Sequence, residues 1–541
     1  MSGPRGAPPA PPAAPAAHAA HAAAATPDVP VPTAVPGPET RESSEDKPQA
    51  DAQAAAPSPA SSPVAADAQA AAAAVEDAAA HPGATRPPPH RRHGNHGHAP
   101  TRADALLDDA LLRRLQRGSF DYFIQEVNPA NGLVLDKTAH HWPASIAAMG
   151  MALTVWLVGA ERGFLPRDDA ARRTHVMLKF LAESEQGEGP EATGHRGFYY
   201  HFLDMQTGKR AWHCELSTID TALLVAGILS AVAYYDDDDD GGRGLEPEIR
   251  RLGTMLYERV EWDWMLAEDG KIRHGWKPES GFLPWRWEGY DEALILYLLA
   301  LGSPTHPIPP ASYEAWCSTY EWKTVQDIDF LYAGPLFIHQ MSHIWVDFRG
   351  IRDAFMREHD CDYFENSSRA TRVQQRYAIE NPLGFPHYGE WCWGVTASDG
   401  PGAQVRRIDG VERTFYDYVA RGAPYGPDDG TVAPWAVAAS LPFAPHIVAP
   451  TIAHMTRLQL HVPNPYGFKA SFNPVFSKDG ESAPDGVGWV SPFHFGINEG
   501  PTVLMIENHR SALVWRLMSR RCAPLVAGLR AAGFSGGWLD G

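Results

Sequence analysis

The sequence predicts an all-α domain in which about twelve helices form an (α/α)6 barrel, with six helical hairpins arranged as an inner and an outer layer. Three observations lead to this prediction. Segments with apolar residues at helical spacing follow one another from residue 104 to residue 519. Very apolar segments alternate with amphipathic ones, as the inner and outer helices of a barrel would. Long loops rich in Trp, Tyr, His and acidic residues connect the segments and would form a cleft.

The first five segments carry recognisable helix signals. Residues 104–127 have an acid-rich start, residues 143–163 begin with proline and end with glycine, and residues 166–184 also begin with proline. Residues 217–235 are apolar nearly all round, which predicts an inner helix, whereas residues 247–262 are amphipathic and predict an outer one.

The alternation continues in the second half of the chain. Residues 290–304 and 500–519 are interpreted as very apolar helices, whereas residues 365–381 are amphipathic. No fixed repeat of about 30–45 residues accompanies these segments, so the pattern favours a barrel over a helical solenoid. Other helices are predicted at residues 312–322, from His339 onward, at 433–443 and at 444–458.

Composition divides the chain at about residue 100. Residues 1–100 consist mainly of Ala, Pro and small polar residues, and no Leu, Ile, Phe, Tyr or Trp occurs before Leu106. This segment has almost no apolar surface to bury and is predicted to be disordered. All 17 Trp, 18 Tyr and 21 Phe lie in residues 101–541, which we predict to be one large domain.

Charge and composition disfavour several classes of protein. A net charge of −19 without a long basic stretch is untypical of nucleic-acid binding. The short basic segment His90–His98 is more typical of a solvated tail than of a metal site. No apolar run approaches the roughly 20 residues that a membrane helix needs. Prolines interrupt the N-terminal segment and make it a poor secretory signal, so the sequence leaves the cellular location open.

The segment HQMSHIWVDFRGIRDAF places His339, His343 and Asp347 at intervals of four residues, and in a helix they would share one face. A metal site is one interpretation, but the HExxH pattern is absent and the five cysteines form no CxxC pair. We therefore expect no metal. We predict that His343, Asp347 and Arg349 belong to the inner wall and make buried or cleft-facing polar contacts. Asp347 and Arg349 are two residues apart and would not meet directly in a helix.

Three long loops, residues 194–215, 272–292 and 387–402, combine aromatic rings with acids and amides. Flat apolar rings and hydrogen-bonding groups together suit a carbohydrate, although any single aromatic residue more often simply packs its loop onto the helices. The candidate substrate-binding residues in these loops are His201, Asp204, Trp285, Trp287, Tyr290 and Trp393.

Many ordered blocks within residues 101–541 carry a family resemblance. They include GFYYHFLDMQTGKRAW, ELSTIDTALLVAG, GYDEALILYLLALGSPTHPI, YGEWCWGVTASDGPG and GPTVLMIENHRSALVW. In these blocks the chain resembles the bacterial glucoamylase-like domain, which is similar to endo-β-1,2-glucanases and to the cyclisation module of cyclic β-1,2-glucan synthases. The resemblance implies a cleft across one end of the barrel, action on β-1,2-linked glucan rather than starch, no metal or other cofactor, and a periplasmic location. We expect a monomer.

Glycoside hydrolysis normally uses two carboxyl groups, one protonated and one ionised. Glu292 is predicted to open an apolar inner helix, where apolar neighbours would raise the pKa of its carboxyl group. The resemblance implies that the Glu of a G-Y-N-E block is the general acid. Here the block reads G-Y-D-E, and the charge of Asp291 would raise the pKa of Glu292 further. The alternative interpretation of Glu292 is an ordinary acid in the first turn of a helix.

The candidates for the second carboxyl group are Glu215 or Asp220, both in the block HCELSTID, and then Asp399. Asp220 could instead be a polar member of a buried helix, and Asp399 precedes a glycine, where it could shape a turn. Relatives often carry an acid–amide pair before the last G-P. This chain has Asn498 and Glu499 there, so the substrate-binding role of that acid is in doubt or lies with Glu499.

The acids and aromatic residues together predict a glycoside hydrolase with a two-carboxylate mechanism. The family resemblance implies that its substrate is β-1,2-linked glucan. A transglycosylase or a glycosidase of another linkage on the same barrel is one alternative, and a non-catalytic glucan-binding protein is another. A binding protein would keep the aromatic residues and lose the acids. This sequence keeps both, which favours the enzyme.

A chain that starts at residue 101 should unfold at the same temperature as the full chain, because residues 1–100 offer almost no apolar surface to a core. Thermal unfolding followed by circular dichroism tests this expectation. A decrease of many degrees on truncation would show instead that the tail contributes to the folded domain.

Overall fold

The computed structural model describes residues 109–236 and 244–541. All of these residues belong to one compact unit. The segment predicted to be disordered, residues 1–100, lies outside the described residues. Within the described part of the chain, no helix is both long enough and apolar enough to cross a membrane.

Helices dominate the described residues, as the sequence predicts. Numbered in chain order, α1 to α14 are Asp109–Gln125, Ile146–Glu161, Arg167–Glu183, Thr218–Tyr234, Glu246–Glu258, Leu294–Leu301, Pro310–Cys317, Ala354–Glu358, Tyr363–Glu380, Pro434–Ala439, Pro445–Arg457, Gly496–Ser511, Leu513–Arg521 and Ala523–Ala531.

Short antiparallel strands accompany the helices, which the all-α prediction did not include. They pair in small sheets of two or three strands within the loops. In chain order, β1 to β15 are Ala144–Ser145, Gly194–His195, Phe198–Tyr199, Phe202–Leu203, Leu216–Ser217, Gly275–Lys277, Gly281–Phe282, Trp322–Val325, Ile328–Leu331, Ala397–Ser398, Gln404–Ile408, Val411–Phe415, Val419–Ala420, Phe472–Asn473 and Trp489–Val490.

Five helices, α2, α4, α6, α10 and α12, are buried along most of their length and form an inner layer. Helix α4 packs on α2 and α6, and α12 packs on α2 and α10. The segment between α6 and α10 completes these contacts. The Ile295 amide of α6 donates to Ser342 Oγ at 3.1 Å, and Gln340 Nε2 donates to the Ala436 carbonyl of α10 at 2.6 Å.

Amphipathic helices cover the inner layer from outside. Helix α1 packs on α12, α3 on α2, α5 on α4, α11 on α10 and α14 on α6. Each presents one apolar side inward; α5, for example, buries Ile249, Leu252 and Leu256 and leaves its charged residues at the surface. The alternation of apolar and amphipathic segments in the sequence therefore corresponds to burial in the structure.

The predicted helix from His339 onward is not formed. Two 3₁₀ turns, Leu336–His339 and Ser342–Ile344, take its place. The side chains of Gln340 and Ser342 form hydrogen bonds to the neighbouring helices. These contacts with other parts of the chain accompany two short turns in place of one continuous helix. The predicted helix at residues 500–519 is also divided, because Ala512 adopts a left-handed φ of 54° and separates α12 from α13.

The loops before three inner helices are tied to one another. Strand β1 leads directly into α2, and Ser145 of β1 pairs with Phe202 of β4. Strand β5 leads directly into α4 and pairs with β6. Lys137, in the loop before β1, forms a bridge with Phe495 at the start of α12. Side chains from these loops are therefore held at one junction.

Helices α2 and α4 approach each other at two glycines. A methyl group on Gly227 of α4 would overlap the carbonyl oxygen of Gly150, and a methyl group on Gly150 would overlap the carbonyl oxygen of Leu223. Thr154 and Ser230 share a hydrogen bond of 2.8 Å between the same helices. Only glycine permits this separation of the two backbones.

Gly227→Ala should lower the free energy of unfolding by about 1–3 kcal/mol or more, because the added methyl group must push α2 and α4 apart. Denaturant unfolding at constant pH measures the change. Gly187→Ala is the matched control, since a methyl group there meets nothing within 4 Å. Equal stability of the two variants would contradict the close helix contact.

Candidate active site

A buried ionic cluster lies at the junction of the loops. His201 Nδ1 is 3.1 Å from Glu215 Oε1, and His201 Nε2 is 3.6 Å from Asp220 Oδ2. His201 precedes β4, Glu215 precedes β5, and Asp220 lies in the first turn of α4. The imidazole is thus placed between two carboxylates.

These contacts set the charge of His201. Burial alone lowers the pKa of its imidazole, but the carboxylates of Asp220 and Glu215 outweigh burial and raise the pKa to about 9. His201 is therefore an imidazolium at neutral pH. Burial raises the pKa of Glu215, yet the hydrogen bond from His201 leaves that pKa below its usual value, so Glu215 is ionised. Glu215 is only 1% exposed and is out of reach of a large substrate.

Asp220 is held by the start of its own helix. Its Oδ2 accepts a hydrogen bond of 2.5 Å from Ser217 Oγ, and the Asp220 amide donates to the same hydroxyl oxygen at 3.2 Å. Ser217 is the N-cap of α4, so one side chain both caps the helix and fixes the carboxylate.

Glu292 is half-buried in a turn two residues before α6, so the helix begins later than the sequence predicts. Burial, supported by the charge of Asp220, raises the pKa of Glu292 to about 8, although the His201 cation lowers it. Glu292 is therefore mainly protonated at neutral pH and can donate a proton. The neighbouring Asp291 is not among the charges that shift the pKa of Glu292, and burial raises its own pKa well above the usual range.

Asp399 lies beside the cluster in an ion pair. Lys137 Nζ is 3.4 Å from Asp399 Oδ1, and Ser491 Oγ donates to Asp399 Oδ2 at 2.8 Å. The Lys137 ammonium also lies over the rings of Phe493 and Phe495, at 4.3 and 4.9 Å from their centroids. Both oxygens of Asp399 are thus occupied, and the carboxylate is 5% exposed.

Sequence reasoning missed several residues of this junction. Asp136 is half-buried, accepts a hydrogen bond of 3.0 Å from Trp142 Nε1, and lies within range of the charges of His201 and Asp220. Tyr418 is also half-buried, and the charges of Asp136 and Glu292 help burial to raise the pKa of its hydroxyl. The signal was present in LDKTAHHW, residues 135–142, which mixes an acid, a lysine, histidines and a tryptophan as the other loops do.

An aromatic wall, Trp142, Phe202 and Trp212, lies beside the acids. The centroid of Trp212 is 4.7 Å from that of Trp142 and 5.1 Å from that of Phe202. Phe202 in turn stacks on the imidazole of His201 at 3.9 Å. The three rings are half-buried, so they combine apolar faces with access to solvent.

Several predicted substrate-binding residues have structural contacts instead. The indole of Trp393 is fully buried and donates to Thr451 Oγ1 at 2.9 Å. Trp287 is 7% exposed and donates to Thr218 Oγ1 at 3.0 Å, under the start of α4. Tyr290 is 5% exposed and packs among other aromatic rings. These rings were expected in the cleft because their loops were rich in aromatic residues, but burial assigns them to packing.

Two other predicted binding residues lie apart from the ionic contacts. Asp204 is exposed, and its carboxylate accepts hydrogen bonds from the amides of Gln206 and Thr207 in a turn. Trp285 is 40% exposed at the surface of its loop. The structure therefore does not bring Asp204 into the cluster with His201.

The histidines of the HQMSH segment are buried and neutral. His339 Nε2 bonds to the Ala333 carbonyl at 3.2 Å, and His343 Nε2 bonds to Ser367 Oγ at 3.0 Å. Burial lowers the pKa of His339 to about 4 and that of His343 to about 3. His343 is completely buried and cannot contact a substrate, which corrects its predicted binding role.

Asp347 and Arg349 pair with each other, contrary to the prediction. Two hydrogen bonds of 2.7 Å join the guanidinium of Arg349 to the two carboxylate oxygens of Asp347. The segment is a loop rather than a helix, so residues two apart can meet. The pair is part of the surface and not of the ionic cluster.

Glu499, the possible substitute for an acid of the relatives, faces a different partner. It lies in the first turn of α12, is 4% exposed, and bonds to His494 Nδ1 at 2.8 Å. Its carboxylate is thus paired with His494. Within the described residues, no three His, Cys, Asp or Glu side chains are grouped as metal ligands.

Comparisons with known proteins agree with the family resemblance. The glycoamylase family model, described as "Putative glucoamylase", matches residues 284–522. An exo β-1,2-glucooligosaccharide sophorohydrolase (non-reducing end) of Parabacteroides distasonis is 27% identical over 453 residues. The match covers 76% of this chain and 56% of that protein, so the chain spans little more than half of its curated relative.

Solved structures of a glucoamylase-like protein and of a β-1,2-glucanase are also similar to this chain. A "putative glucoamylase" of Bacteroides uniformis is 27% identical, with a TM-score of 0.68, over 80% of this chain and 99% of that one. A β-1,2-glucanase of Parabacteroides distasonis is 27% identical, with a TM-score of 0.66, over 79% of this chain and 60% of that one. The resemblance to glucoamylase-like proteins and β-1,2-glucanases, drawn from the sequence blocks, is confirmed.

His201→Gln should lower the free energy of unfolding by about 3–5 kcal/mol near pH 6, because Glu215 would stay buried without its cation. The raised pKa of His201 gives stability that is complete below about pH 6.5 and lost as the pH rises through about 9. The lowered pKa of Glu215 gives stability present above its ordinary value of 4.5 and lost at lower pH. The difference between wild type and variant should therefore be largest between about pH 4.5 and 6.5.

Denaturant unfolding at several pH values measures this difference. His306→Gln is the control, since His306 forms a surface contact of 3.4 Å with Asp263 and should contribute less than about 1 kcal/mol. A loss for His201→Gln that is as small as that of His306→Gln, or independent of pH, would contradict the buried ionic contact.

Proposed function

We propose that the chain is a glycoside hydrolase that cleaves β-1,2-linked glucan, in the endo or the exo mode, with two carboxyl groups. The observation that carries the proposal is the buried contact of His201 with Glu215 and Asp220, which lies within range of Glu292, whose pKa burial raises to about 8. Opposite protonation states of carboxyl groups at one site are what glycoside hydrolysis requires.

The names of the relatives support the substrate. Two of the proteins compared above act on β-1,2-linked glucose chains according to their names. This chain covers only part of each, so the linkage belongs to the proposal. The aromatic wall supports a sugar as well, because Trp142, Phe202 and Trp212 offer apolar faces next to the acids.

We infer that the helices form an (α/α)6 barrel. Contacts run from α2 through α4 and α6 to the 3₁₀ segment, then through α10 and α12 back to α2. Six inner elements with outer helices on their far sides support this architecture. The catalytic group would then lie at the end of the barrel where α2, α4 and α6 begin.

Glu292 acts as the general acid in this proposal. Its proton passes to the glycosidic oxygen as the bond to that oxygen breaks, and the second carboxyl group is ionised. The His201 cation opposes the effect of Asp220 on Glu292, which keeps the pKa of Glu292 near 8 rather than higher. At that value Glu292 holds a proton at neutral pH but can still release it.

Glu292→Gln should lower kcat on linear β-1,2-glucan by about 10²–10⁴-fold while glucan binding is kept, because Gln preserves the shape but has no acidic proton. For the wild type, kcat/KM should decrease above about pH 8 as Glu292 loses its proton. Initial rates on β-1,2-, β-1,3- and α-1,4-glucans, with binding measured by calorimetry, provide the test.

Glu183→Gln is the matched control, since Glu183 is an exposed residue at the end of α3. Near-normal turnover of Glu292→Gln would remove Glu292 from the mechanism. A wild-type protein that binds glucan but cleaves none would favour the non-catalytic glucan-binding protein, and net transfer to sugar acceptors would favour the transglycosylase.

A further inference from the structure

The three acids predicted for the second carboxyl role are all engaged. Glu215 bonds to His201, Asp220 accepts from Ser217, and Asp399 is held by a lysine and a serine. Each of the three is more than nine-tenths buried. A carboxylate that activates water needs an oxygen within hydrogen-bond reach of that water. These three acids are therefore poorly placed for the role.

Asp136 differs from them in exposure and in bonding. Its side chain is half-buried, and only one of its two carboxylate oxygens has a donor among the described residues. That oxygen is Oδ2, which accepts from Trp142 Nε1 at 3.0 Å. The other oxygen, Oδ1, is available for a water molecule.

Backbone hydrogen bonds hold Asp136 in place. Its amide donates to the Pro143 carbonyl at 3.0 Å, and its carbonyl accepts from the Gly496 amide at 2.9 Å and from the Tyr122 hydroxyl at 3.1 Å. Pro143 lies just before β1 and α2, and Gly496 begins α12. The residue is thus fixed between the starts of two inner helices rather than on a free loop.

Charged groups on several elements surround the Asp136 carboxylate. Burial raises its pKa to about 6; the Trp142 hydrogen bond and the cations of His201 and Lys137 lower it, and Asp220 raises it. The Tyr122 and Tyr418 hydroxyl groups also lie within range of the charge of this carboxylate. His201 and Asp220 are the same two groups whose charges act on Glu292.

We propose that Asp136 is the catalytic base of this site, the ionised carboxyl group that works opposite Glu292. This inference rests on the proposed function. It is carried by the half-exposed side chain with one open oxygen, by the backbone bonds that fix it, and by the ionic neighbours that it shares with Glu292.

The reaction then balances with water as the only co-reactant. Asp136 takes a proton from a water molecule while the water oxygen forms a bond to the anomeric carbon. The bond from that carbon to the glycosidic oxygen breaks, and the leaving oxygen takes the proton of Glu292. Asp136 ends protonated and Glu292 ionised, and exchange of one proton through solvent restores both. Attack opposite the leaving group converts a β-linkage into an α-anomeric product.

Asp136→Asn tests this assignment. Its kcat on linear β-1,2-glucan should fall by about 10²–10⁴-fold with little change in KM, because Asn can still accept from Trp142 but cannot take a proton. Wild-type kcat/KM should decrease below about pH 6 and above about pH 8. In the pH profile of the residual kcat/KM of Asp136→Asn, the decrease on the acidic side (the acidic limb) should be lost, whereas the decrease on the alkaline side (the alkaline limb) should remain. Asp168→Asn, an exposed acid in the first turn of α3, is the matched control.

Asp220→Asn distinguishes the role of the proposed base, Asp136, from that of its charged neighbour Asp220. Removing the charge of Asp220 should move the alkaline limb to lower pH, since that charge raises the pKa of Glu292, but the acidic limb should remain. NMR of the first wild-type products should show the α-anomer. This measurement needs no variant, so it applies even if Asp136→Asn does not fold.

Three results would overturn the assignment: near-normal turnover of folded Asp136→Asn, an acidic limb that persists in it, or a β-anomer as first product. Failure of the proposed function looks different. In that case the wild type cleaves no β-1,2-glucan at all. If the wild type is active and Glu292→Gln is impaired while Asp136→Asn is not, only the assignment of Asp136 falls.

Discussion

The candidate site depends on the imidazolium of His201. A carboxylate buried without a counter-charge would cost several kcal/mol, and two carboxylates near each other would also raise each other's pKa values. His201 lies between Glu215 and Asp220 and compensates both. The same cation limits the pKa of Glu292 to about 8 and that of Asp136 to about 6. One side chain therefore lowers the pKa of several carboxyl groups whose pKa burial raises.

The helical scaffold makes this arrangement possible. Glycines let α2 and α4 approach closely, and the two-residue strands β1 and β5 lead straight into these helices. Pairing of β1 with β4 places the loop of His201 beside the loop of Asp136, and the bridge from Lys137 to Phe495 adds the start of α12. Short strands of two or three residues thus determine which side chains meet.

Most helices and the acids of the cluster could be predicted from the sequence, because apolar periodicity records burial and carboxyl groups signal the chemistry. The helix predicted for the HQMSH segment was wrong because the prediction used residue spacing alone. The spacing fits a helix, but Gln340 and Ser342 bond to neighbouring helices, which no local pattern reveals. Trp287 and Trp393 were expected to bind sugar, since composition cannot tell a ring facing solvent from a ring under a helix. Asp136 was missed although its segment mixes an acid, a lysine, histidines and a tryptophan, because no local pattern shows that pairing between distant loops brings it close to His201.

The central claim is that Glu292 keeps its proton at neutral pH. Infrared difference spectra of wild type against Glu292→Gln, recorded across a pH titration, measure this directly through the carbonyl band of a protonated carboxyl group. The account predicts a band that is present at pH 7, absent from Glu292→Gln, and lost with a midpoint near pH 8. A midpoint near the ordinary value of 4.5, or no difference between the two proteins at pH 7, would contradict it.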